Sequence, residues 1–339
     1  MAAAVVNNFF STEAEKLLII ATNQIVSEIN FTKPMKTNIR TVRHSFAGAV
    51  CAGAVLLLAV TINAQAQYTY TTIAVPGATW TRAFGIDGNN IVGDSSAGGF
   101  LYNGSSYTTL NVPGATGTYA VGISGNNVVG YYYNGSLSAG LFYGFLYNGS
   151  SYTTIAVPGA TWTRAFGIDG NNIVGDSSAG GFLYNGSSYT TLSVPGAPNG
   201  ISGNNIVGAY GGGNVYQGFL YNGSSYTTLS VPGSYNTAAC GIDGNNIVGY
   251  CAMGGSGEPG FVYNGSSYTT FRVPGAVDTY AEGISGNNIV GWYKFVSVSG
   301  PLTLYTEGFL ATPTPEPSAL GLLAVGATAF LARSRRWHR

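Results

Sequence analysis

Between residues 67 and 312 the chain alternates short apolar runs with polar turns, and the same order of runs returns in each copy of one module. In the copy that covers residues 236–275, the runs are 238–242, 247–250, 260–263 and 267–273. Short runs rich in Val, Ile, Tyr, Phe and Thr and bounded by Gly, Asn and Asp are typical of β-strands. We expect hairpin turns at Asp243-Gly244-Asn245-Asn246 and at Asn264-Gly265, of type I′ at the Asn-Gly pairs. The pattern predicts four strands per module.

The module is repeated six times. Its most regular element, Gly-Ile-(Asp or Ser)-Gly-Asn-Asn, begins at Gly85, Gly122, Gly167, Gly200, Gly241 and Gly283. A Val-Pro-Gly element recurs with its proline at Pro76, Pro113, Pro158, Pro195, Pro232 and Pro274. Residues 70–110 are identical to residues 152–192, which points to recent duplication. Four strands in a repeat of about 40 residues are typical of a β-propeller blade.

The two ends of the array complement each other. The first copy starts in mid-module at Tyr68, without the strand that should precede it, and the last copy stops at Leu310, without the strand that should follow. If residues 70–75 pair beside residues 308–310, six complete blades result and no sheet edge stays open. An open solenoid is the alternative, and it would more often carry polar capping units at its ends. We therefore predict an all-β fold, a six-bladed β-propeller of four-stranded blades that is closed by pairing of the N- and C-terminal strands.

The composition supports a folded protein and excludes several classes. Of the 339 residues, 45% are hydrophobic and only 8% are charged, with a formal net charge of zero, whereas disorder needs low hydrophobicity and high net charge. The 51 glycines follow no three-residue period, which excludes collagen. Residues 67–312 contain four cationic and nine anionic side chains, so we expect no nucleic-acid binding there.

The N-terminal segment has the order of a secretory signal peptide. Basic side chains within residues 36–44 precede an apolar run from Phe46 to Val60, and the small-residue triplet Ala64-Gln65-Ala66 follows. We expect a signal peptide over residues 35–66, with cleavage after Ala66, and an upstream extension over residues 1–34. A membrane-spanning anchor is the alternative, but the run is shorter than the ~20 apolar residues that a span needs.

The C-terminal segment, residues 313–339, combines a proline-rich motif, an apolar run and a basic end. Pro315-Glu316-Pro317 precedes the apolar residues 319–332, and four arginines follow them. A helix over those 14 residues would rise only ~21 Å, less than the ~30 Å hydrocarbon layer. We expect a short transmembrane helix that anchors the chain weakly, with its basic tail on the cytoplasmic side.

These three parts resemble the PEP-CTERM sorting signal of exported bacterial proteins. The resemblance implies recognition of Pro315, Glu316 and Pro317 by an exosortase-type processing enzyme, with the chain held in the membrane through its C-terminal segment before cleavage. It also implies display on the cell surface, or release from the envelope, of a Gram-negative bacterium that makes exopolysaccharide. An extracellular polysaccharide is therefore an expected partner.

The modules also resemble the HAF-type repeats of extracellular bacterial proteins. The matching residues in one copy are Gly218-Phe219-Leu220-Tyr221-Asn222-Gly223 and the run from Gly241 to Gly249, with Gly in place of the leading His of the family pattern. The resemblance spans about residues 68–311. It implies exported, propeller-like proteins and defines no activity.

Residues suited to catalysis are scarce. The two histidines, His44 and His338, lie in the terminal segments, so the repeats have no histidine for a catalytic triad or a zinc site. Asp87 with Asp94, repeated as Asp169 with Asp176, could form carboxylate pairs, but Ser replaces the first Asp in three of the six modules, as a turn residue would allow. The Asp-Gly-Asn-Asn turns lack the spaced acidic pattern of a calcium loop. We expect no metal, no cofactor and no enzymatic activity.

Two cysteines remain in the repeats after export. Cys240 and Cys251 flank one turn, and if Asn245 and Asn246 form its tip, the two sulfurs face each other across the ladder. In an oxidising compartment this predicts a disulfide.

The tyrosines allow two interpretations. Aromatic planes beside polar turns could stack on sugars. Tyr102, Tyr147, Tyr184, Tyr221 and Tyr263 occupy equivalent positions, however, and this regularity favours packing between blades. We expect an exported, surface-associated, non-catalytic protein with an adhesive or matrix-binding role. The alternatives are an exported carbohydrate-active enzyme that uses Asp side chains in the channel, and a structural spacer without a ligand.

Overall fold

A computed structural model describes residues 68–314, apart from residues 137–139, 213–214, 256 and 297–302. The described chain forms 24 β-strands in six sheets of four antiparallel strands each, which confirms the predicted six-bladed propeller. No helix in this part of the chain is long and apolar enough to cross a membrane. The upstream extension, the signal peptide and the predicted C-terminal helix lie outside the described residues.

The first strand, β1 (Tyr68–Ile73), joins the last blade, and each of the other five blades uses four consecutive strands. Blades 1 to 3 contain β2 (Thr81–Asp87), β3 (Asn90–Ser95), β4 (Gly98–Tyr102) and β5 (Tyr107–Leu110); β6 (Gly117–Ser124), β7 (Asn127–Tyr133), β8 (Phe142–Tyr147) and β9 (Tyr152–Ile155); and β10 (Thr163–Asp169), β11 (Asn172–Ser177), β12 (Gly180–Tyr184) and β13 (Tyr189–Thr191). Blades 4 to 6 contain β14 (Ala197–Ser202), β15 (Asn205–Gly212), β16 (Val215–Tyr221) and β17 (Tyr226–Leu229); β18 (Asn236–Asp243), β19 (Asn246–Ala252), β20 (Gly260–Tyr263) and β21 (Tyr268–Phe271); and β22 (Asp278–Ser285), β23 (Asn288–Val296) and β24 (Leu304–Pro313).

The ring closes where the first strand pairs with the last. β1 is the outermost strand of blade 6 and runs antiparallel to β24, with Tyr68 opposite Pro313 and Ile73 opposite Gly308. Thr71 lies opposite Leu310, so the predicted pairing of the two terminal segments is confirmed. Blade 6 thus takes three strands from one end of the repeat array and one strand from the other.

Six apolar clusters hold the blades together, and each joins two neighbouring blades. Every cluster contains one fully buried phenylalanine: Phe100, Phe145, Phe182, Phe219, Phe261 or Phe309. Between blades 1 and 2, Val92 and Leu110 of blade 1 pack with Val128 and Phe145 of blade 2. Each fully buried large side chain contributes about 1.5–3 kcal/mol to stability.

The repeated tyrosines pack at these interfaces, as the regular spacing predicts. Tyr102 lies opposite Tyr107, with 4.6 Å between ring centroids, and both pack against the cluster between blades 6 and 1. The Tyr102 hydroxyl donates to the carbonyl oxygen of Gly104 at 2.8 Å. The same bond recurs at Tyr147, Tyr184, Tyr221 and Tyr263.

The Asn-Gly turns do not have the predicted type I′ geometry. That turn needs positive φ at both central residues, whereas every described residue with positive φ is a glycine. Asn103 to Ser106 form a four-residue loop instead, in which the Asn103 side-chain oxygen accepts from the backbone N–H groups of Ser105 and Ser106 at 3.0 and 2.9 Å. An Asx turn of this kind fixes the loop without a left-handed asparagine.

Candidate binding site in the central channel

The innermost strand of each blade has a one-residue β-bulge at the same position. In blade 1 the register shifts between Ala83 and Gly85, and Phe84 is the extra residue. The other five blades repeat this shift. A bulge re-aims a side chain, and the six bulge residues all line one central cavity: Phe84, Val121, Phe166, Asn199, Cys240 and Glu282. Blades 1 and 3 share a phenylalanine at this position and the other four blades each have a different residue, although the motif that follows hardly changes.

A ring of six glycines narrows the channel beside the bulges. A Cβ atom on Gly283 would lie 2.5 Å from the carbonyl oxygen of Phe84 and 3.3 Å from the Cα of Gly85, both in the next blade. The same approach links all six blades through the first glycine of the repeated motif. Glycine alone allows backbones to meet this closely, which explains why the motif begins with it.

Six hydrogen bonds join the adjacent turns from blade to blade. Their acceptors alternate between Asp and Ser around the ring. The Asp87 carboxylate accepts from the N–H of Gly125 at 2.6 Å, and the Ser124 hydroxyl accepts from the N–H of Gly170 at 3.1 Å. The other four acceptors are Asp169, Ser202, Asp243 and Ser285. Asp and Ser interchange here because each supplies one oxygen acceptor to the next blade.

The structure keeps apart the aspartates that were considered as carboxylate pairs, and it agrees with their assignment as turn residues at Asp87 and Asp169. Asp87 lies opposite Asn90 at the turn, whereas Asp94 lies opposite Arg82, four residues further along β3. At ~3.3 Å per residue these positions are about 13 Å apart, beyond the ~5–9.5 Å between the carboxyl groups of glycoside hydrolases.

Blades 1 and 3 each place an Arg–Asp pair beside the cavity. The Arg82 guanidinium donates to Asp94 at 2.9 and 2.5 Å, and Asp94 is only 1% exposed. Arg164 and Asp176 form the same two-bond contact at 3.0 and 2.6 Å. Burial raises the pKa of both aspartates, and the hydrogen bonds from the arginines oppose that rise.

Three tyrosines line the cavity on the side of the bulges away from the turns: Tyr131, Tyr216 and Tyr250. Tyr280 contacts Tyr250 and Trp292 contacts Tyr280, and we call these five side chains the aromatic funnel. Tyr280 stacks on Trp292 with 3.9 Å between ring centroids and 17° between ring planes. Tyr250 meets Tyr280 edge to face at 4.8 Å. The cavity has a volume of about 330 Å³.

Glu282 is the carboxylate that lines this cavity in the described part of the chain. Its Oε1 accepts a hydrogen bond from the Trp292 indole N–H at 2.9 Å. Burial raises the pKa of Glu282 to about 7, against the opposing effects of hydrogen bonds from Trp292 and Cys240. A carboxyl group that titrates near neutrality in a cavity is typical of a functional site.

The funnel tyrosines of blades 4 to 6 lie in a negative environment. Burial raises the pKa of Tyr216 to about 12, and the charge of Glu258 raises it further. Burial also raises the pKa of Tyr250 and of Tyr280, and Glu258 again adds to both increases.

The predicted pairing of the cysteines is wrong. The hairpin tip lies at Gly244 and Asn245, one residue earlier than expected, and the bulge at Cys240 shifts the register further, so that Thr237 lies opposite Cys251. Cys240 lines the cavity, while Cys251 packs in the cluster between blades 4 and 5. Both are free, buried thiols.

Among the described residues, no group of three or more His, Cys, Asp or Glu side chains could hold a metal ion. Glu282 was not singled out from the sequence. A signal for the cavity residues was present in the sequence. The residue before each Gly-Ile motif varies in an otherwise regular repeat, and this is the position that lines the cavity.

Comparison with known families identifies the C-terminal segment. The family model of the PEP-CTERM protein-sorting motif matches residues 313–336. The chain carries a PEP-CTERM sorting motif. This motif marks exported proteins that are anchored at the bacterial cell envelope, and it implies processing by an exosortase-type system. Pro315, Glu316 and Pro317 fall within the matched range but, like Ala64 and Ala66, outside the described residues.

No curated protein matches the chain. Among solved structures, the chain is similar to the β-propeller domain of the Trilobed protease from Pyrococcus furiosus, with 11% identity, a TM-score of 0.39, and coverage of 70% of this chain and 84% of that one. It is also similar to Aleuria aurantia lectin in complex with α-methyl-L-fucoside, with 13% identity, a TM-score of 0.38, and coverage of 74% and 99%. The HAF-type label of the repeats stays a resemblance.

Proposed function

We propose that this protein is a non-catalytic propeller that binds extracellular polysaccharide in its aromatic funnel and so serves as an adhesive or matrix-binding protein of the cell envelope. The observation that carries the proposal is the combination of Tyr131, Tyr216 and Tyr250 with the polar groups of Asn199 and Glu282 at one cavity. Trp292 lies beside them and donates a hydrogen bond to Glu282. The apolar face of a sugar ring packs on an aromatic plane, and a few polar side chains then fix its orientation.

The cavity has a size that suits a sugar. Its volume of about 330 Å³ lies at the lower end of the ~300–1,000 Å³ range of ligand pockets. A single sugar unit of a longer chain would enter it, while the neighbouring units would lie on the outer part of the funnel. The PEP-CTERM motif supports this substrate class, because it places the protein at the envelope, where such polymers accumulate.

The positions of the carboxylates favour binding over hydrolysis. Glycoside hydrolysis uses two carboxyl groups on either side of the scissile bond. The Asp94 carboxylate accepts hydrogen bonds from Arg82, and the Asp87 carboxylate accepts one from the Gly125 N–H in the turn of the next blade. Glu282 therefore has no second carboxylate among the described residues that line its cavity.

Retention on immobilised exopolysaccharides tests this proposal. The full-length protein is applied to a panel of polymers, together with Trp292→Ala, Trp292→Phe and the control Tyr226→Ala, which removes an exposed ring from the outer strand β17. We expect retention of the wild type, about tenfold weaker retention of Trp292→Ala, an intermediate result for Trp292→Phe and no change in the control; tenfold corresponds to about 1.4 kcal/mol.

The size of the glycans after incubation separates the alternatives. Unshortened glycans on a retained protein support the proposal. Shortened glycans indicate the carbohydrate-active enzyme instead, and absence of retention on every polymer indicates a structural spacer.

A further inference from the structure

The two sides of the central cavity differ in how their charges are balanced. On the side of blades 1 to 3, each arginine is held by an aspartate in a two-bond contact, so the charges cancel. On the side of blades 5 and 6, Lys294 lies 3.4 Å from Asp278. Glu258 and Glu282 remain on that second side, close to the funnel.

Neutral side chains surround these two glutamates most closely. The Trp292 indole N–H donates to Glu282 at 2.9 Å. The Cys240 thiol lies beside Glu282, and the Tyr280 hydroxyl, which accepts from Lys294 at 3.1 Å, lies beside Glu258. Neutral side chains do not cancel the charge of a carboxylate. When ionised, the two carboxylates give this side of the cavity a negative potential.

The aromatic rings on the two sides also differ in their neighbours. The guanidinium of Arg164 lies 5.9 Å from the ring centroid of Tyr131, and Arg82 lies 5.4 Å from that of Phe84. In blade 6, Lys294 lies 5.1 Å from the ring centroid of Tyr280 and Arg82 lies 5.8 Å from that of Trp292. The rings of Tyr216 and Tyr250 instead have tyrosines as neighbours, with centroids 6.2 Å apart for their own pair. Both rings line the same cavity as Glu282.

Aromatic faces beside a carboxylate are the groups that recognise organic ammonium ions. The ring quadrupole attracts the cation and the carboxylate supplies the opposite charge, and both attractions are stronger where water is excluded. Burial is the main cause of the raised pKa values of Tyr216 and Tyr250, and the nearby carboxylates add to them.

We infer that the side of the cavity formed by Tyr216, Tyr250 and Glu282 binds a protonated amine, so that the glycan recognised by this protein carries free amino groups. This inference rests on the proposed glycan-binding function and specifies its substrate class. An amino sugar can pack its ring on the funnel while its ammonium group lies beside Glu282. A uronic acid would instead place its carboxylate against Glu258 and Glu282 and be repelled.

Binding of a permanent cation at this position should also depend on pH. The groups that face Glu282 are Trp292, Cys240, Arg82 and Asp94. Arg82 is paired with Asp94, so Glu282 is the group that titrates near neutrality. A ligand with a fixed positive charge is therefore held more tightly as Glu282 loses its proton.

The test compares oligosaccharides of one length that differ only in the nitrogen: glucosamine, N-acetylglucosamine and N-trimethylglucosamine oligomers. We expect the full-length wild type to bind the first and third about tenfold more tightly than the N-acetylated form at neutral pH. We expect Glu282→Gln, which keeps the shape and a hydrogen-bond acceptor for Trp292, to lose that preference but still to bind the N-acetylated oligomer. The affinity of the wild type for the trimethylated oligomer should rise with pH through about 7, and that of Glu282→Gln should stay constant.

The outcomes separate the two proposals. Equal or tighter binding of the N-acetylated oligomer by the wild type overturns the amine inference and leaves glycan binding intact. An unchanged preference in Glu282→Gln also overturns it, since the carboxylate would then not be the recognising group. Failure to bind any of the three oligomers, together with no retention on the polymer panel, overturns both proposals.

Discussion

A Cβ atom on Gly85 would lie 3.2 Å from the Cα of Gly122 in the next blade, and 2.6 Å from the carbonyl oxygen of Val121. The two glycines belong to a ring of six that brings the innermost strands together by backbone contact. This ring sets the width of the channel and the position of the bulge residues that line the cavity. The site therefore depends on residues that have no functional group of their own.

Replacement of one ring glycine should destabilise the protein. In Gly122→Ala the new methyl group would meet the Phe166 carbonyl oxygen at 2.6 Å, and overpacking of this kind costs about 1–3 kcal/mol. Urea denaturation measures the effect. Gly254→Ala is the control, because a Cβ there has no neighbour within 4 Å; equal stability of the two variants would show that the ring has room for side chains.

The alternating Asp and Ser acceptors predict which substitutions the turns tolerate. Asp87→Ser should keep most of the stability, because Ser124 makes the equivalent bond in the next blade. Asp87→Ala removes the acceptor for the Gly125 N–H and should cost about 1 kcal/mol. Thermal unfolding of both variants tests this, and an equal loss in both would mean that the carboxylate charge, and not the hydrogen bond, is what matters.

The Arg82–Asp94 pair should be needed as a unit. Arg82→Leu leaves Asp94, only 1% exposed, as a buried carboxylate without its cation, and breaking such a pair costs about 3–5 kcal/mol. The double variant Arg82→Leu with Asp94→Leu should recover much of that loss. Urea denaturation of the single and double variants measures their free energies of unfolding. A double variant no more stable than Arg82→Leu would show that the loss does not come from an unpaired Asp94 carboxylate.

The stability of the protein should fall as Glu282 ionises. Burial raises the pKa of Glu282 from 4.5 to about 7, so between these values the folded state holds a proton that the unfolded chain releases. The free energy of unfolding therefore decreases as the pH rises through this range, by at most about 3 kcal/mol for this group.

Glu282→Gln removes this dependence and is compared with the wild type at each pH. Asp94 and Asp176 also have raised pKa values, but both proteins contain them. Their contribution to the pH dependence of stability is therefore removed when the two proteins are compared. We expect the variant to gain stability relative to the wild type as the pH rises. A constant difference between the two would mean that Glu282 titrates at its ordinary value.

The sequence predicted the fold well because each blade is specified locally and the repeats multiply the signal. The run 260–263 coincides with β20, and the truncated ends at Tyr68 and Leu310 predicted the closure that β1 and β24 make. The Asp and Ser positions of the motif were correctly assigned to turns, although their bonds to the next blade could not be read from one module.

The bulge accounts for several of the errors in register and side-chain direction, whereas the Asn-Gly loops and the hairpin tip differ for local reasons of their own. One extra residue in each innermost strand changes the partner of every residue before it, so Cys251 lies opposite Thr237 and not opposite Cys240. The same bulge turns Glu282 into the cavity, where simple alternation would not have placed it. The Arg82–Asp94 pairing depends on a hairpin register that the residue spacing alone did not give.

Hydroxyl-radical footprinting of the full-length protein, with and without the polysaccharide that retains it best, tests the central claim most directly. Trp292 and Tyr250 lie outside the duplicated segments 70–110 and 152–192, so their peptides are unique. The account predicts that the glycan protects Trp292 and Tyr250 from oxidation and leaves Tyr226, which is 48% exposed on β17, unchanged. Protection of Tyr226 with continued oxidation of Trp292 would place the glycan outside the channel and contradict the account.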